Sequence, residues 1–123
     1  MEEETTRLDD ALDPIAQAEL LVDEEPPPGL LGAGNDVYSV KVSNVGGRAT
    51  LEWTTSAIGR WDWVGLYDGP SGSWKKYKRG QWQWVRDYRG GAYKTRTKYK
   101  KGLQARYVIW DYGLKSYRVV ATS

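Results

Sequence analysis

The chain has 123 residues and a formal charge of only +2, with seven Trp and nine Tyr but no Phe, no Cys and no His. Lacking Cys, it has no disulfide, thiolate metal site or cysteine nucleophile; lacking His, it misses the commonest general base and metal ligand. No apolar run approaches the ~20 residues of a membrane span, and Met1-Glu2-Glu3-Glu4 has the wrong charge for a signal peptide, so a cytoplasmic chain is expected.

The small net charge conceals a division. Residues 1–28 hold ten acids and one base, net −9; residues 29–123 hold 17 bases and six acids, net +11. Two oppositely charged objects are therefore expected: an acidic arm with a proline-rich linker over residues 1–34, and a basic domain over 35–123. A plain solubilising tail and an arm that covers the domain's basic surface both satisfy this split.

Within the arm, Thr6-Arg7-Leu8-Asp9 is a capping-box pattern, and Asp13-Pro14 sets a cap residue before a proline suited to the first helical turn. Leu8, Leu12, Ile15, Ala18 (or Glu19) and Val22 recur at helical spacing. So short a helix needs a surface to dock on. Disorder, docking on its own domain, and self-association through residues 7–22 are the alternatives.

From Val37 the period changes to two. Tyr38, Val40 and Val42 share one side of a strand; Ala49, Leu51 and Trp53 line the next, after the turn Asn44-Val45-Gly46-Gly47. Arg60 to Asp68 follows as a central strand rich in large side chains, closed by Gly69-Pro70-Ser71-Gly72-Ser73. Trp74 to Lys78 is predicted as a short edge strand guarded by lysines. Gln81 to Arg89 alternates again, and Gly90-Gly91 supplies a tight turn. Tyr93 to Lys100, Leu103 to Tyr112 and Ser116 to Thr122 complete about eight short strands. The expected fold is all-β, an antiparallel sandwich or barrel.

Asp62-Trp63-Val64-Gly65-Leu66-Tyr67 resembles the Asp-Trp-Val/Ile-Gly-Leu/Ile-aromatic strand of SKICH-type domains, which are immunoglobulin-like β-sandwiches. Ala105-Arg106-Tyr107 with Tyr117-Arg118-Val119-Val120-Ala121 is similar to that family's closing strands. Residues 81–100 have no counterpart there, and Trp110-Asp111-Tyr112 lengthens the closing hairpin. The resemblance implies an immunoglobulin-like sandwich and a non-catalytic role in recruiting membranes or protein partners, and it carries over no functional residues.

The candidate binding residues fall into two sets. In Tyr93-Lys94-Thr95-Arg96-Thr97-Lys98-Tyr99-Lys100 the side chains of a strand alternate faces, so Lys94, Arg96, Lys98 and Lys100 point one way, spaced ~7 Å apart. Such a row suits an acidic protein segment, anionic lipid or sulfated glycan; a solvated edge, or neutralisation by Asp87, is the competing explanation. The second set is Trp82, Gln83, Trp84, Arg86 and Tyr88, which on a solvent face would form a stacking platform for a sugar ring or a protein hot spot. Trp53, Trp61 or Trp63, and Trp110 are expected in the core. Enzymatic chemistry has little support, since Asp62 and Asp68 on one strand lie ~20 Å apart, too far for a carboxylate pair, and no cofactor or metal motif is present. Nucleic acid is the weaker polyanion, because no base-reading motif occurs. The expected protein is a non-catalytic module for an acidic partner; a Trp-rich carbohydrate-binding module and a homo-oligomer built by arm exchange are the alternatives.

Overall fold

A computed structural model describes residues 12–26, 37–87 and 91–123. The described residues form one α-helix, α1 (Pro14–Leu21), and seven strands: β1 (Tyr38–Val45), β2 (Arg48–Thr55), β3 (Trp63–Tyr67), β4 (Trp82–Trp84), β5 (Ala92–Lys98), β6 (Gln104–Asp111) and β7 (Ser116–Thr122). These form two antiparallel sheets, ordered β1-β2-β5 and β4-β3-β6-β7. The chain passes between sheets after β2, β4 and β5. The result is an all-β sandwich-like fold with one helix added.

Local chemistry sets the hairpins. Val45 pairs with Arg48 across a two-residue turn in which Gly46 and Gly47 both have positive φ (62° and 88°), a backbone that favours glycine. The Asn44 side chain accepts a hydrogen bond from the Gly47 amide at 2.9 Å. Gly91 has φ 74°, and its carbonyl accepts from the Trp53 amide at 2.8 Å. A Cβ there would lie 2.3 Å from the Trp53 carbonyl oxygen, so only glycine allows this approach.

Alternation sorts the side chains into layers. Val40, Leu51 and Trp53 of the first sheet meet Val64, Leu66, Ala105 and Tyr107 of the second in a dry core. The opposite face of the four-stranded sheet carries Trp63, Tyr67, Trp84, Val108, Trp110 and Tyr117, which form a second buried cluster. Leu21 of α1 belongs to that cluster, so α1 is a third layer. β3 is thereby covered on both faces, and all five of its residues are buried. Gly65 lies among these rings: a Cβ on it would come within 2.8 Å of the Trp63 indole.

Three sequence expectations are corrected. Trp74–Lys76 is a turn of 3-10 helix and not an edge strand. Ser73 caps it, its hydroxyl accepting from the Lys75 amide, while the Tyr67 hydroxyl donates to the Trp74 carbonyl at 2.6 Å. Among the described residues of Gln81–Arg89 only Trp82–Trp84 is strand; Val85–Asp87 turns into 3-10 helix because the Val85 amide bonds to the Asp62 carbonyl and its side chain enters the core. Finally, α1 buries Pro14, Gln17 and Leu21, one position away from the expected Ile15, Ala18 and Val22 face, and leaves Ile15 40% exposed. Leu8 lies outside the described residues. The Asp13–Pro14 start is as expected, the Asp13 carboxylate accepting from the Ala16 amide at 2.9 Å.

Candidate functional site: the basic face

β5 lies at the edge of the three-stranded sheet, and its side chains alternate as its sequence requires. Lys94, Arg96 and Lys98 are exposed, as is Lys100 just beyond the strand, whereas Thr95 is buried and Tyr93, Thr97 and Tyr99 are half-buried. The row is not evenly ruled. Thr50 pairs with Lys94 and Arg48 with Lys98, so one β2 residue opposes three on β5, and β5 bulges. Thr95 anchors the bulge, its hydroxyl donating to the Ala49 carbonyl at 2.7 Å and accepting from the Thr97 amide at 3.1 Å.

The bulge spreads the cations. The Lys94 ammonium comes near Gly46 of the β1–β2 turn, whereas the Arg96 guanidinium lies beside Gly80 of the other sheet's connection. Gln81 ties the two sheets here, its side-chain carbonyl accepting from the Arg96 amide at 2.8 Å. The Leu66 amide donates to the Gln81 carbonyl and the Lys78 amide to the Leu66 carbonyl, which fixes the 78–81 loop against β3. Exposed Arg79, next to Gly80, thus adjoins the β5 row at Arg96, whereas Lys75 lines a cleft beside α1. From Lys75 to Lys101 the sequence holds eleven bases and one acid, Asp87.

The acids near this face are occupied. Glu52 pairs with Lys41 at 3.6 Å and Asp68 with Lys78 at 3.0 Å. The Lys78 hydrogen bond and charge, with a smaller contribution from Lys100, hold the Asp68 carboxyl below its usual range. Among the described residues no ion pair involves Lys94, Arg96, Lys98 or Lys100.

The aromatic set divides. Trp84 is 2% exposed and stands edge-on to Trp61 at 5.4 Å and to Trp82 at 5.1 Å. It is a core ring, not a stacking platform, because its side of β4 faces the covered side of β3. Trp82 is half-buried on that side, and Gln83 donates to the Trp84 carbonyl at 3.2 Å. Arg86 donates to the Arg60 carbonyl at 3.1 Å and lies 5.4 Å from the centre of the Trp61 ring, with Arg60 at 4.5 Å. Tyr88 lies outside the described residues. Among the described residues, Trp82, Gln83, Trp84 and Arg86 do not form one exposed surface, since Trp84 is buried.

The described arm lies elsewhere. α1 covers the outer face of the four-stranded sheet, whereas the β5 cations lie along the edge of the three-stranded sheet. Residues 12–26 do not cover the row, because the helix needs an apolar bed and the row offers none; residues 1–11 lie outside the described residues.

Sequence reasoning missed the loop cations and two buried charges. The run Lys75-Lys76-Tyr77-Lys78-Arg79 was the available signal, masked by its assignment to a strand. Arg106, 4% exposed, and Asp62, 5% exposed, carried none. Asp62 accepts from the Tyr107 hydroxyl at 2.9 Å and the Gly59 amide at 2.8 Å. Burial, with this carboxylate, drives the Tyr107 phenol well above its ordinary range. Among the described residues no three Asp or Glu side chains gather as a metal site would need, and no helix is long and apolar enough to cross a membrane.

No family model, curated protein or solved structure matches the chain.

Proposed function

We propose that the protein is a non-catalytic interaction module whose basic face, formed by Lys94–Lys100 and the adjoining Lys78–Arg79 segment, binds an acidic partner: an acidic protein segment, an anionic lipid surface or a sulfated glycan. The observation that carries this reading is the row of exposed cations on β5, free of ion pairs among the described residues and joined by a second basic segment through the Gln81–Arg96 hydrogen bond. A row of like charges gains nothing from its own repulsion, and a polyanion relieves it. The SKICH-type resemblance of Asp62–Tyr67 supports a recruiting role, and a cytoplasmic setting accords with it.

The test is retention of the full chain on heparin and on vesicles with and without anionic lipid, across a salt series. Binding is expected to weaken about tenfold or more between about 50 and 200 mM salt, as ion release requires. Lys98→Glu with Lys100→Glu should abolish it while Trp82→Ala leaves it intact. Salt-insensitive binding to a neutral glycan, lost on Trp82→Ala, would replace this reading with the carbohydrate-binding one.

A further inference from the structure

The basic face leaves the other side of the molecule unexplained. There α1 seats Leu21 among Trp63, Trp110 and Tyr117, yet Gln17, on the same helix face, is 0% exposed with no hydrogen-bond partner for either end of its amide among the described residues. In the same covered cluster the Trp63 and Trp110 indole N–H groups and the Tyr117 hydroxyl are likewise buried and unpartnered. An indole N–H can only donate, so this bed offers hydrogen-bond donors that its helix does not meet. Buried polar groups in settled cores are seldom left so.

Eight residues form too short a helix to persist alone, so α1 depends on this face for its order. Besides Leu21, buried Pro14 and Gln17 and partly buried Ala18 and Val22 pack there, and the Lys115 ammonium donates to the Val22 carbonyl at 3.0 Å. Beside the helix a cleft of about 220 Å3 stays open, with Ile15, Ala18 and Val22 on one wall, Trp74 and Trp110 on the other. Lys75 and Lys115 also line it. The face therefore accepts a helix and is incompletely matched by the one it holds.

We propose that this sheet face is a docking groove for an acidic amphipathic helix of a partner protein, and that α1 is its built-in competitor. The helical form follows from what already sits there. The acidity follows from charge: residues 12–26 carry Asp13, Glu19, Asp23, Glu24 and Glu25 and no base, against Lys75 and Lys115 of the cleft. A partner displaces α1 by seating an apolar side chain where α1 buries the unpartnered Gln17 amide. α1 competes at an effective concentration on the order of millimolar, which holds the groove shut to weak ligands.

The test uses a fluorescein-labelled peptide of residues 12–26 carrying Gln17→Leu, titrated into the full chain and followed by anisotropy. Leu21→Ala in the chain's own helix should tighten peptide binding by ~10-fold or more, and Gln17→Leu there should weaken it ~10-fold. Where Leu21→Ala does not fold, Asp13→Ala replaces it, with ~5-fold tightening expected from loss of the cap. The opposite signs are the signature of a competitor. No peptide binding to any folded variant, or equal binding to all, would overturn the proposal. So would dimers of the Leu21→Ala chain in light scattering, which would make α1 an exchange element between copies. A peptide with Glu19→Lys, Glu24→Lys and Glu25→Lys that binds equally well would overturn the acidic partner.

Discussion

Arg106 shows how a single buried charge can be satisfied without a carboxylate. Its guanidinium donates to the Gln104 side chain and to the carbonyls of Gly69, Ser71, Gly72 and Ser73. It also lies 4.0 Å from the centre of the Tyr67 ring. Every N–H direction of the fork is used, so the side chain shapes the 69–73 loop and has nothing left for a ligand. Lysine cannot reproduce a planar five-donor fork. Arg106→Lys is expected to cost about 1–3 kcal/mol, since four loop carbonyls lose the donors of a buried guanidinium. A lowered urea midpoint with an unchanged slope would confirm it; a change within about 0.5 kcal/mol would mean that water replaces those bonds.

Asp111 carries the pH prediction. The Leu114 amide first, and then Arg118 at 3.0 Å, hold its carboxyl below the ordinary value. A depressed folded-state value adds stability above the unfolded one, here 3.8, and that stability is lost as pH falls through the folded value. Asp111→Asn should therefore lower the urea midpoint at about pH 6 and matter progressively less toward about pH 2.5. An equal loss at both pH values would show that the hydrogen-bond geometry, and not the charge, is what counts.

Among the elements, the β6–β7 hairpin does more than reverse the chain. Lys115 has φ 53°, a left-handed backbone unusual for a side-chain residue, and its ammonium reaches the Val22 carbonyl at the end of α1. A cation there also complements the helix dipole. Lys115→Gly should thus act in two directions. Relief of the backbone should leave global stability unchanged or raise it by about 1 kcal/mol, while α1 loses a fastening. Hydrogen exchange checks this: α1 amides should exchange faster while β3 and β6 amides do not. Uniformly faster exchange would contradict it.

At the scale of the whole molecule, the four-stranded sheet separates two surfaces of different chemistry. One is cationic, on β5 and the neighbouring 78–79 segment; the other is aromatic, beneath α1. Lys98 and Lys100 of the first and Leu21 of the second share no contact described above, and distant sites add independently. Charge reversal at Lys98 and Lys100 should leave α1 hydrogen exchange unaltered, and Leu21→Ala should leave the salt dependence of heparin retention unaltered. Coupling in either direction would show that the two faces are one site.

Much of this architecture was legible in the residues. The period of two in Tyr38–Val42 and Tyr93–Lys100 fixes which side chains face the core, because a strand gives a side chain only two directions. Asp13-Pro14 marked the start of a helix, and Gly46-Gly47 marked a turn, because both depend on local backbone chemistry. What local pattern could not carry was the second covered face. Trp63, Trp84 and Trp110 are buried in one cluster with Leu21 of a helix far along the chain and with rings such as Trp61 and Tyr117 from other elements, and no window of sequence contains those contacts. The 3-10 turn at Trp74–Lys76 and the bulge in β5 were hidden for the same reason, since Tyr67 and Ala49 supply the deciding hydrogen bonds from other elements. Sequence by itself determined most of the strands, the charge division and the exposure of the cations, all of which follow from near neighbours. Only the tertiary structure decided which aromatics are covered, what Arg106 holds and where the arm lies, because each depends on atoms brought together across the fold.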